Sequence, residues 1–266
     1  MSTLTLDGVS NTVLADISLS ASSGDMLALV GPNGAGKTSL LKCIAQLAPY
    51  RGAVRWNQHD VQRMPVAQRA RRIAYLSQNH DWSWPICVAD LVALGRYPHG
   101  RRADADDTAV RRALQRAGLE ALAQRPLNRL SGGERARAML ARALAVEAEV
   151  LLADEPVAAL DPYHQLRMMA LLRDYCRAGH IVIVVLHDLT LASRFCDRVA
   201  LLDRGRLVVQ GNSEAVLSAE HIRRVYGVSA LSGEHEQQRY VLPWRHHEPD
   251  AESALEPRDD DHAVRV

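Results

Sequence analysis

Aromatic side chains are scarce in this chain of 266 residues: they make up 5% of it, with a single Phe, and no Phe, Tyr or Trp precedes Tyr50. The core must therefore be mostly aliphatic, and a binding site built from the first part of the chain has no ring to stack on a ligand. Cysteine is sparse as well. Cys43, Cys87, Cys176 and Cys196 lie far apart without C-x-x-C spacing, which argues against a disulfide framework or a zinc site and for reduced, partly buried thiols in a cytoplasmic compartment. An excess of one charge is missing too: 32 Lys and Arg face 31 Asp and Glu, and a net charge of +1 offers no broad basic field for nucleic acid. The longest apolar stretch, IVIVVL from Ile181, is far too short to span a bilayer, and MSTLTLDGVS at the start lacks a basic region followed by an apolar one. Any membrane role is expected to be peripheral.

What the chain does have is 47% hydrophobic residues, enough for one substantial domain or two small ones. Short apolar runs with β-branched content recur: MLALV from Met26, RIAYLSQ ending at Gln78, VLLADEP from Val150 and HIVIVVLHD ending at Asp188. They suit a mostly parallel sheet covered on both faces. Between Gln78 and about Val150 the spacing becomes helical, which predicts a helical subdomain, at about residues 79–145, inserted into an α/β core. After about Leu231 the composition turns polar and acidic, and residues 231–266 read as a loosely held or disordered tail.

The run Gly31, Pro32, Asn33, Gly34, Ala35, Gly36, Lys37, Thr38, Ser39 fits G-x-x-x-x-G-K-[ST] at a strand-to-helix junction. Small residues let backbone N–H groups converge on phosphate oxygens, Lys37 reaches the β and γ groups, and Thr38 offers a hydroxyl to Mg²⁺. Lys37 and Lys42 are the only lysines in an otherwise arginine-based chain, as expected where a compact, flexible charge is wanted. VLLADEP ends an apolar strand with two carboxylates. Asp154 is expected in the Mg²⁺ shell and Glu155 as the base that orients an attacking water. His187, at the end of IVIVVLH, should emerge at the same sheet edge and donate to the γ-phosphate. Gln78 follows its strand and has an amide suited to the metal ion or the attacking water.

A second candidate cradle lies in LSGGERARAMLARALA. Ser131 and Glu134 fit a capping box, but capping alone does not ask for Gly132 and Gly133, which clear side chains from the first turn so that an anion can approach. Two cradles in one chain make sense if the second serves a nucleotide held by another copy, so that two chains clamp two ATP molecules. LSGEHE from Leu231, with one glycine and acidic followers, is assigned no such role.

GPNGAGKTS, Gln78, LSGGE, LLADEP, AALD ending at Asp161, and His187 occur in the order and approximate spacing of ATP-binding cassette (ABC) ATPases, which this chain resembles up to about residue 230. The resemblance implies a P-loop NTPase core with an N-terminal antiparallel β portion in an ATPase domain over residues 1–230. It implies a head-to-tail homodimer in which Ser131, Gly132, Gly133 and Glu134 touch the partner's ATP and Asp161 communicates across the interface. It also implies integral-membrane permease subunits at the cytoplasmic face of the membrane, docked on the region from Asn79 to Gly100, and indirectly a substrate-binding protein. LVALGRYPHG, HDLTLASRFCDRVALLDRGRLVVQG and AVLSAEHIRRVYGV are similar to the cassettes of importers for iron chelates, haem and cobalamin.

Trp82 and Trp84 suit either an apolar docking face or packing inside the helical subdomain. The family's upstream aromatic is absent, Glu134 stands where many members have Gln, and Val157 where Thr is usual. A soluble cassette protein acting on nucleic acid or ribosomes is the alternative reading, although such relatives tend to have two cassettes or coiled-coil insertions and basic surfaces. His and Asp in RHHEP and DDDH are expected to be solvated, not metal ligands.

Overall fold

The chain opens with alternating apolar residues and only later uses continuous ones, and this difference separates its two large sheets. The computed structural model describes residues 1–78, 85–100 and 103–246. In β1 (Thr3–Ser10) and β2 (Ile17–Ser22), Leu4, Leu6, Ile17 and Leu19 turn inward while Thr and Ser face outward. Every residue of β3 (Met26–Val30) is buried, and α1 (Lys37–Ile44) follows it. β4 (Arg51–Trp56) and β5 (His59–Asp60) complete an antiparallel sheet of order β2-β1-β4-β5.

After α2 (Val66–Arg72) and β6 (Ile73–Leu76) the next described elements are the helices α3 (Val88–Ala93), α4 (Ala103–Ala117) and α5 (Gly132–Ala145). It then returns to the sheet through β7 (Val150–Asp154), α6 (Pro162–Arg177), β8 (Ile181–Val185), α7 (Leu189–Phe195), β9 (Arg198–Asp203) and β10 (Arg206–Gly211). The second sheet runs β10-β9-β3-β8-β7-β6, with parallel pairing from β9 to β6 and an antiparallel edge at β10. This is the α/β P-loop fold expected, with its N-terminal antiparallel sheet. The pleat divides the core into two. Met26, Ala28 and Val30 join the helices α3 to α6, whereas Leu27 and Leu29 pack towards α1 and the antiparallel sheet.

For residues 231–246 the loosely held or disordered tail expected from the sequence is corrected by the structure. After α8 (Ser213–Val216) and α9 (Ala219–Tyr226), β11 (Val228–His235) and β12 (Gln238–His246) form a paired hairpin. Val241 of β12 is buried, and Thr190 of α7 bonds both its N–H and its carbonyl. The exposed positions of the hairpin are mixed, with Glu234, His235 and Arg245 alongside Leu231, Leu242 and Trp244. LSGEHE lies within it. Trp82, Trp84 and residues 247–266, including DDDH, lie outside the described residues.

Candidate active site

β3 brings the chain to the carboxyl edge of the parallel sheet, and the following turn demands glycine. Gly31, Gly34 and Gly36 have φ of 150°, 81° and 94°. A Cβ on Gly31 would stand 2.1 Å from the Leu202 carbonyl oxygen, so only glycine lets the loop lie against β9. Gly36 caps α1 without a side-chain bond, which leaves the first-turn N–H groups directed at the loop's cavity. That cavity, about 180 Å³, is lined by Val13, Asn33 to Ser39 and Glu155. Lys37 is only 5% exposed, and its Nζ donates to the carbonyls of Gly31 (2.8 Å) and Pro32 (2.9 Å). Burial lowers its pKa, against the opposing pull of Glu155 and Asp154.

β7 ends beneath this loop. Asp154, 1% exposed, accepts from Thr38 Oγ1 at 2.9 Å through one oxygen and from Tyr75 Oη at 2.9 Å through the other. Burial and the neighbouring carboxylate both raise the Tyr75 pKa, which keeps its proton on the phenol. Tyr75 was not among the expected site residues. It reads as part of an apolar run, and only its register beside β7 brings it to Asp154.

Glu155 sits one residue beyond the strand with φ of 49°, a left-handed conformation uncommon for a side chain of this size. The turn aims its carboxylate between two donors: Gln78 Nε2 at 2.7 Å and His187 Nε2 at 2.6 Å. A carboxylate partner requires that the His187 Nε2 carry hydrogen. Gln78 follows β6 and His187 follows β8, so three neighbouring strands deliver one cluster. Behind it lies a cavity of about 190 Å³ lined by Glu155, Gln165, His187, Asp188 and five apolar or small residues.

The second cradle is elsewhere: none of Ser131 to Glu134 is among the described residues lining the phosphate-loop cavity. Ser131 Oγ accepts from the Glu134 N–H at 3.2 Å, and the Glu134 carboxylate accepts from the Ser131 N–H at 2.8 Å, completing a capping box. The backbone N–H of Ser131 holds the Glu134 pKa below its ordinary value. The two glycines differ, which corrects the idea that both are bare for an anion. A Cβ on Gly132 would meet nothing within 4 Å, but one on Gly133 would fall 2.1 Å from the His164 ring. Asp161 caps α6 through the His164 N–H at 2.9 Å, and its side chain is 60% exposed.

The carboxyl edge of the sheet thus gathers the glycine loop, a buried cation, a hydroxyl and a buried carboxylate from β3 and β7, with Glu155 beside them, and this is the architecture of a P-loop nucleotide-binding fold. The sequence profile of the ABC transporter family matches residues 14–158, more than half of the chain, and the chain belongs to that family. As a member it binds and hydrolyses ATP. The hemin import ATP-binding protein HmuV of Nocardia farcinica (strain IFM 10152) is 43% identical over 222 residues, which are 82% of this chain and 77% of that protein. The fold matches a chain assigned to the metal-chelate type of ABC transporter in an inward-facing conformation, with a TM-score of 0.80, 22% identity and coverage of 92% of this chain and 98% of that one. It also matches an ATP-binding cassette solved as a dimer in a post-hydrolysis state bound to ADP and Pi, with a TM-score of 0.70, 25% identity and coverage of 79% and 99%.

Among the described residues no helix is long and apolar enough to cross a membrane.

Proposed function

We propose that the chain is the ATP-hydrolysing subunit of an importer for haem or a related iron chelate. It works as a head-to-tail pair bound peripherally beneath integral-membrane permease subunits at the cytoplasmic face, with a substrate-binding protein supplying the cargo. The observation that carries the enzymatic half is the Glu155 carboxylate, gripped by Gln78 and His187 and opening on the same cavity as the phosphate loop. The hemin importer relative supports the cargo.

The backbone N–H groups of Gly34 to Ser39 and the Lys37 ammonium hold the β- and γ-phosphates, while Pro32 and Asn33 shape the turn. Thr38 Oγ1 and Asp154 are hard oxygen donors already in contact, which suits Mg²⁺. Among the described residues no three His, Cys, Asp or Glu side chains gather as a metal cage. Thr38 and Asp154 would hold the ion together with phosphate and water oxygens, and the amide oxygen of Gln78 would be a further donor. When bound, Mg²⁺ neutralises charge on the β- and γ-oxygens. Tyr75 keeps Asp154 oriented.

Glu155 accepts a hydrogen bond from the attacking water and aligns its oxygen with the γ-phosphorus; the bond to the β-phosphate oxygen breaks as the new P–O bond forms. Gln78 fixes the carboxylate, and His187 turns its Nε2–H towards the γ-phosphate. The second copy's Ser131, Gly132 and Gly133 close the remaining side, with Glu134 holding the serine through the cap. Asp161 carries the state of one site to the other.

Glu155→Gln tests the mechanism. It is expected to bind ATP normally, lose at least about a hundredfold in turnover, as removal of a general base does, and accumulate an ATP-bound dimer in size-exclusion chromatography. Wild-type turnover in this variant would remove Glu155 from the base role. Uptake by the reconstituted transporter, with hemin, a ferric siderophore and cobalamin compared side by side, tests the cargo; transport of one of the others without hemin would reassign it.

A further inference from the structure

His164 lies outside every motif that pointed to function, yet it touches two of them. Its ring lies against the bare Cα of Gly133: a Cβ there would stand 2.1 Å from Cδ2 and 2.5 Å from both Cγ and Nε2. The other edge of the ring faces Asp161, with Nδ1 at 2.8 Å from Oδ1 and 2.9 Å from Oδ2. Facing a carboxylate, Nδ1 must be the donor. Tyr163 stands edge-on to the ring at 5.2 Å and 89°, and only 25% of the His164 side chain is exposed. The imidazole is therefore a plate wedged between the first turn of α5 and the cap of α6.

Two elements joined by a tight contact on one side and a hydrogen bond on the other cannot shift independently without breaking one of them. Gly132, whose missing Cβ faces open space, leaves the outer side of the α5 start accessible; Gly133 gives its inner side to His164. A ligand pressing on the outer side of that turn would push on the ring, and the ring, through its Nδ1–H, on the Asp161 carboxylate.

We propose that His164 is a positioning residue that transmits engagement of the Ser131–Gly133 turn by the partner's nucleotide to Asp161 in the same chain. The inference rests on the paired, two-nucleotide arrangement of the preceding subsection. It assigns Gly133 a second duty, as the seat of a coupling side chain. Its prediction is a defect in turnover that leaves nucleotide binding and pairing intact.

The test uses the full chain and a double-mutant cycle. His164→Ala is expected to lower kcat by about tenfold, within the range of coupling between two sites. Binding of a fluorescent ATP analogue and ATP-dependent dimerisation in the Glu155→Gln background should change by less than about twofold, since neither measures the relay. Asp161→Asn, which keeps a good helix cap, should lower kcat similarly, and the double variant no further than the worse single one. His164→Asn keeps a donor for Asp161 and the start of α6 but lacks the plate against Gly133, so it should be slow too while melting like the wild type. Additive losses in the double variant, or wild-type kcat in either His164 variant, would overturn the relay. If Glu155→Gln alone fails to dimerise with ATP, the paired arrangement fails first, and the relay with it.

Discussion

Val13 is a small aliphatic side chain where a ring would be useful. It is 47% exposed, lines the phosphate-loop cavity beside Gly34 to Ser39, and has no aromatic residue before it in the chain. To a nucleotide held by this loop, Val13 offers aliphatic contact but no ring and no polar group. Val13→Tyr should tighten ATP binding by about tenfold, the equivalent of about 1–2 kcal/mol of aromatic contact, and widen the preference for ATP over CTP. Titration of the purified chain with fluorescent nucleotide and the two competitors checks this. An unchanged ATP affinity would mean that the base lies away from Val13.

Helix α5 is positioned from both ends, and glycine sets how closely its neighbours approach. At its start, Gly133 admits His164. At its end, Gly95 after α3 lies so close that a Cβ would stand 2.2 Å from the Arg142 carbonyl oxygen and 3.0 Å from the Ala145 Cβ. That approach lets Arg96 bond the Ala145 carbonyl at 2.7 Å, Glu147 at 3.0 Å and Asp106 at 3.0 Å. Gly95→Ala pushes a methyl into backbone that cannot yield. It should cost about 1–3 kcal/mol, seen as a fall in melting temperature of about 2–4 °C per kcal/mol for a chain of this size; an unchanged melting temperature would show that α3 and α5 separate freely. The strands β3, β6, β7 and β8, the phosphate loop and the capping box of α5 were legible because each is written in consecutive residues. The hairpin β11–β12 was not, since its turn uses Glu236 and Gln237 at φ of 49° and 60° instead of the Asn or Gly that usually marks such a turn. Tyr75 and His164 stayed hidden because their partners, Asp154 and Gly133, are distant in sequence and meet them only through sheet register and helix packing.

At the scale of the whole molecule, the response to acid follows from what each buried group prefers. His180 precedes β8 and stacks on Tyr175 of α6, with ring centroids 3.9 Å apart and planes 7° from parallel. Its Nδ1–H donates to the Ala148 carbonyl at 2.9 Å, which also accepts from Tyr175 Oη at 2.6 Å. Burial lowers the His180 pKa, so the folded chain holds it neutral at a pH where the unfolded chain takes up a proton. The unfolded state then binds more protons, and stability declines as pH falls below the ordinary histidine value of about 6.5 and on through the lowered one. A second decline comes in stronger acid. Burial raises the Asp197 carboxyl, but Arg173 and the Met26 N–H outweigh it and leave the pKa below the ordinary range. This contribution is present above that range and lost as pH drops through the folded value. Wild-type melting temperature should therefore begin to fall between pH 7 and about 5.5, before any carboxylate of ordinary pKa is protonated. His180→Phe keeps a ring on Tyr175 and loses the bond to Ala148, so it should melt lower at pH 7 yet stay flat across that interval. Parallel decline of the two proteins would move the early acid sensitivity to another group.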